Sequence, residues 1–61
     1  MDHESLIQYV GKQVKLSLEN GFWYKAKIIS VNEESVTFIE LKGHTVSVHP
    51  KTIMMIEEVG E

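Results

Sequence analysis

Apolar and polar residues alternate with a period of two along most of this chain, in short runs broken by turn signals. Val14, Leu16 and Leu18 alternate with Lys15, Ser17 and Glu19, the pattern of a half-buried strand. Asn20-Gly21 follows, the strongest short hairpin signal, and a long β-rich run extends from Phe22 to Val31. Asn32-Glu33-Glu34-Ser35 makes a polar turn, after which Val36 to Leu41 forms a third strand ending at Lys42-Gly43. His44 to His49 alternates again, with Val46 and Val48 on one side and Thr45 and Ser47 on the other. Pro50 prevents an interior strand from continuing, and a single turn through Lys51-Thr52 leads into a fifth strand. The predicted strands cover about 13–19, 22–31, 35–41, 44–49 and 53–59.

The period changes near the start of the chain. Leu6, Tyr9 and Val10 fall at the i, i+3, i+4 spacing of one helical face, with Asp2 placed to cap the first amides and Gly11 to end the helix. The helix, over about residues 3–10, is too short to be stable alone and must lie against the strands. A short N-terminal α-helix followed by five short strands predicts a mostly β, strongly bent, five-stranded small barrel. Residues 1–61 make a single domain, with no internal repeat and no linker.

The last strand breaks the alternation. Ile53, Met54, Met55 and Ile56 are apolar on both faces, and a strand of that kind is covered on both faces. Two arrangements satisfy it: the helix takes one face and the barrel interior the other, or a second copy pairs with it as an edge strand. A 61-residue chain buries only about 60% of its unfolded surface. Cysteine is absent, and His3, His44 and His49 have no partners at metal-ligand spacing, so neither a disulfide nor a metal supplements the core. Self-association is the remaining route. It predicts a homo-oligomer with an interface at Val46, Val48, Ile53, Met54, Met55 and Ile56.

Charge narrows the function. The net charge is -3 and there is no arginine, which excludes bidentate forks onto phosphate or guanine and argues against binding a DNA duplex by neutralising phosphates. Lysine point charges, backbone groups and stacking remain. They converge on the stretch NGFWYKAK, residues 20–27, which holds three of the five aromatics. Alternation sends Phe22, Tyr24 and Ala26 toward the barrel or its rim, and Trp23, Lys25 and Lys27 outward. An aromatic flanked by lysines suits single-stranded nucleic acid, since stacking contributes about 1–3 kcal/mol per base and every base offers a π-face. Phe22 and Tyr24 join Trp23, Lys25 and Lys27 as candidate contact residues. No serine, cysteine or paired carboxylate is placed to work with His49, so no enzyme and no cofactor is expected. No apolar run approaches the roughly 18 residues of a membrane span and the N-terminus lacks the features of a secretory signal, which predicts a cytoplasmic protein.

With the short helix, the Asn20-Gly21 hairpin, the segment Ala26-Lys27-Ile28-Ile29-Ser30-Val31-Asn32 and the single-turn connector before Ile53, the chain resembles the Sm-like superfamily, and within it the bacterial Hfq branch. The resemblance covers roughly residues 5 to 59 and implies rings in which the fourth strand of one subunit pairs with the fifth of the next. It also implies RNA binding on two ring faces. On the uridine face, Glu33, Glu34 and His49-Pro50-Lys51 stand where the family carries an amide, an aromatic and a Tyr-Lys-His run, so carboxylates replace the binding groups there. On the opposite face, the family's adenine-binding run falls on Asn20 to Ala26. The expectation is a ring that holds single-stranded RNA through Trp23 and its lysines. The alternative is an oligomeric protein-interaction or assembly module that binds no nucleic acid, favoured by the acidic net charge.

Overall fold

The computed structural model describes residues 1–59 and is mostly β. A helix, α1 (His3–Ile7), precedes five strands: β1 (Gln13–Leu18), β2 (Trp23–Val31), β3 (Val36–Glu40), β4 (Thr45–Val48) and β5 (Ile53–Glu58). A single 3-10 turn, Pro50–Thr52, links β4 to β5. The strands form one antiparallel sheet in the order β4-β3-β2-β1-β5. The expected barrel is therefore not closed. Pro50 ends β4 and the 3-10 turn carries the chain across to the far side of β1, so among the described residues β4 pairs only with β3 and β5 only with β1. Both strands leave an edge open.

Alternation sets the core. Val14, Leu16, Leu18, Ala26, Ile28, Val36, Phe38 and Ile53 are buried on one face of the sheet, and Leu6 of α1 joins them. Tyr24 packs on Phe38 with ring centroids 5.4 Å apart, tilted by 52°, an arrangement that aromatic quadrupoles favour. Two bulges bend the sheet. On β2 the register passes from Ile28–Phe38 to Ser30–Thr37, leaving Ile29 without a partner. On β5 it passes from Leu18–Ile53 to Ser17–Met55, leaving out Met54.

Two hairpins share one turn design. Gly21 N–H donates to Leu18 O and Leu18 N–H to Phe22 O, and the same pair of bonds joins Gly43 to Glu40 and Glu40 to His44. Each is a three-residue loop that ends in a glycine with φ near +90°, the left-handed position such a loop requires.

The helix is shorter than the expected 3–10. Asp2 caps it by accepting from the Ser5 amide at 3.0 Å, but after Ile7 the amides of Tyr9 and Val10 bond three residues back, to Leu6 and Ile7. The tighter winding rotates Val10 away from the sheet, leaving it exposed, while Leu6 is buried and Tyr9 half-buried. Among the described residues no helix is long and apolar enough to cross a membrane.

Candidate functional site

The core occupies one face of the sheet, and the other carries Trp23 and the strand lysines. Cross-strand register arranges this outer face in rows. Met55, Ser17 and Trp23 lie side by side across β5, β1 and β2, followed by Glu57, Lys15 and Lys25, and then by Gln13, Lys27, Ile39 and Thr45 across β1, β2, β3 and β4. Lys15 and Lys25 are directly opposite, and Lys27 follows Lys25 on the same face of β2. Three cations thus share the middle of the sheet beside an aromatic ring.

Trp23 is 56% exposed. The Lys15 Nζ lies 4.9 Å from its ring centroid, a cation–π distance. A cleft of about 250 Å³ runs beside it, lined on this face by Lys15, Ser17, Trp23, Met55 and Glu57. A shallower depression of about 410 Å³ borders the other side of Trp23, with Lys25, Leu41, Lys42 and His44. The His44 Nδ1 and Glu40 Oε1 are 2.8 Å apart across the hairpin end. At the base of the sheet Lys12 pairs with Glu58 at 3.3 Å, while Lys15, Lys25 and Lys27 are the cations of the strands beside Trp23 and Lys42 adds a fourth from the hairpin end.

The anticipated residues separate into two groups. Trp23, Lys25 and Lys27 face outward together, whereas Tyr24 packs inward on Phe38 and offers little surface. Phe22, expected at the barrel or its rim, is 63% exposed. It lies beside the three-residue turn, one residue before β2 begins and past the limit of the core. Composition does not single out Lys15, because it looks like any polar position of an alternating strand. Its place emerges only when the hairpin register sets it opposite Lys25.

The residues assigned to an intermolecular contact also divide. Ile53 is buried within the chain, its N–H donates to Pro50 O and its carbonyl accepts from the N-terminal amine at 3.1 Å, so neither side chain nor backbone is open to a partner. Val46, Val48 and Ile56 are half-buried against the same core. Met54 and Met55 are 61% and 67% exposed. The last strand is thus covered on one face by its own core and uncovered on the other.

Glu33 and Glu34 sit in the turn beyond β2, at the far end of that strand from Trp23, where Asn32 Oδ1 accepts from the Glu34 and Ser35 amides. His49 has a structural role: its Nδ1 accepts from the Lys51 amide at 3.1 Å and caps the 3-10 turn. Among the described residues no group of His, Cys, Asp or Glu is placed to hold a metal ion. No known family model, curated protein or solved structure matches the chain.

Proposed function

We propose that this chain is a non-catalytic, ring-forming module of Sm-like type that binds single-stranded RNA on the outer face of its sheet. The observation that carries the proposal is the exposed Trp23 ring in one surface with Lys15, Lys25 and Lys27. Stacking on Trp23 supplies affinity without sequence preference, and the lysines follow the backbone phosphates as point charges. Of the acidic residues behind the net charge of -3, Glu33 and Glu34 lie past the other end of β2 from Trp23, while Glu57 stands opposite Lys15 and leaves Lys25 and Lys27 as the cations without a facing carboxylate in their rows of β1 and β2.

Assembly completes the proposal. β4 and β5 are the two edge strands of the sheet, the start of β5 being met by the N-terminal amine, which donates to Ile53 O at 3.1 Å, and an edge strand is a template for a strand of another copy. Pairing β4 of one copy with β5 of the next is heterologous and closes into a ring if the rotation permits. Repetition would then multiply the Trp23 faces on one side of the assembly.

The test is a fluorescence titration with oligo-A, oligo-U and mixed single strands. Trp23 is the sole tryptophan and reports stacking directly. A second function has its own observation: Phe22, Leu41, Met54 and Met55 are exposed apolar side chains, which suit a protein partner. No change with any strand would favour that one.

A further inference from the structure

We infer that Lys15 is a positioning residue of the RNA face: in the free protein its ammonium occupies the Trp23 ring, and an incoming base displaces it onto the backbone phosphate. The inference rests on the RNA-binding function proposed above and assigns a role to a residue outside the stretch 20–27.

Three features of the face support it. First, the Lys15 Nζ sits 4.9 Å from the Trp23 centroid, so it occupies the π-surface on which a base would stack. Second, Lys15 is directly opposite Lys25 on one side and Glu57 on the other. Like charges facing each other across a ladder repel, and lying over Trp23 turns the Lys15 ammonium toward an electron-rich surface instead. Third, the cleft there holds about 250 Å³, below the range of sites for drug-sized ligands. It suits one planar ring between Trp23 and Met55.

When a base takes the ring, the ammonium must move. The base brings its own phosphate, and Lys25 across the ladder makes the surroundings more positive. A phosphate bound between Lys15 and Lys25 relieves their repulsion. Stacking and charge neutralisation are thereby coupled through one side chain, which favours nucleotides over uncharged aromatic molecules.

The experiment compares wild type, Lys15→Met and Lys15→Arg with two probes, adenosine and oligo-A, each read by Trp23 fluorescence. Methionine keeps an unbranched apolar stem and loses the charge; arginine keeps the charge. Lys15→Met should bind adenosine about two- to five-fold more tightly, because an exposed cation–π contact no longer competes. For oligo-A its salt dependence should fall by about 0.7 in slope, the value of one phosphate contact on a single strand. Lys15→Arg should restore the slope. If wild type binds oligo-A and Lys15→Met changes neither the adenosine affinity nor the slope, Lys15 has no such role while the RNA-binding function stands. If wild type shows no response to any strand, the RNA-binding function fails and this inference with it.

Discussion

Ile53 and Ile56 both face the core although they are three residues apart on β5, because the bulge at Met54 resets the alternation between them. A regular strand would send one of the two isoleucines to solvent. The extra residue turns both inward and leaves both methionines outside. The two-faced apolar run is thus a bulged strand with one face covered by its own chain and the other available.

The expected consequence is that Met54→Glu leaves the fold intact and dissolves the assembly. Met54 is exposed and lacks a cross-strand partner, so a carboxylate costs the single chain little, whereas it would meet a neighbouring β4 at the edge. Ile53→Glu should unfold the chain, since it buries a charge in the core. Sedimentation at micromolar concentration with circular dichroism separates the two. Wild type that sediments as a stable monomer contradicts the proposed ring.

On the outer face, Trp23→Ala should weaken every single strand by about 1–3 kcal/mol regardless of sequence, because all bases share the stacking surface. Lys25→Glu should act in two directions. It replaces a like-charge pair opposite Lys15 by an opposite-charge pair, a gain of about 0.2–1 kcal/mol in stability, and it weakens RNA binding with a smaller salt slope. Urea denaturation and titration at several salt concentrations read the two effects on one variant. Loss of stability in Lys25→Glu would mean that the lysines are not opposed in solution.

Core truncation should be costly. Phe38 is fully buried and packs on Tyr24, and Phe→Ala in a core costs about 3–5 kcal/mol. Native domains hold roughly 0.05–0.15 kcal/mol per residue, so Phe38→Ala should leave the 61-residue chain barely folded or unfolded at room temperature. A variant that retains the cooperative urea transition of wild type would show that the Tyr24–Phe38 contact is not central.

The hairpin turns make a smaller, sharper case. Gly43 has φ +90 and nothing within 4 Å of a Cβ placed on it, so Gly43→Ala costs only backbone strain, about 1–2 kcal/mol. Gly43→Asn should cost less, because asparagine visits the left-handed region more readily. Denaturant midpoints of the two variants check the order.

Asp2 gives a pH dependence with a definite sign. Hydrogen bonds from Ser5, its hydroxyl first and its amide second, hold the Asp2 carboxyl below its ordinary value of 3.8. A carboxyl depressed by folding contributes its stability above that value and loses it as pH falls through the folded-state pKa. The stability difference between wild type and Asp2→Asn should therefore be constant at neutral pH and shrink below about 3.8. A difference that grows on acidification would contradict the cap.

Strand positions were legible in the sequence because local rules decide them. Period-two alternation places Val14, Leu16 and Leu18 on one face, and glycine at the end of a three-residue loop stops each of two hairpins. Pro50 ends β4 by lacking a donor. Asp2 begins the helix for the same kind of reason, since a short acceptor beside free amides acts within one turn. The outward direction of Trp23, Lys25 and Lys27 followed from the same alternation.

Relations between strands were decided only in the tertiary structure. That β5 joins β1 and leaves the sheet open at β4 depends on how the 3-10 turn carries the chain across, a long-range choice that no local pattern encodes. The bulges at Ile29 and Met54 arise where the sheet bends to cover one core, and they set which of four consecutive apolar residues point inward. Phe22 lies past the core because the core ends there, and Val10 turns outward because the helix tightens after Ile7. Lys15 meets Trp23 and Lys25 through hairpin register. Side-chain type and spacing determine what each segment prefers, while packing against distant segments determines which surfaces remain to bind anything.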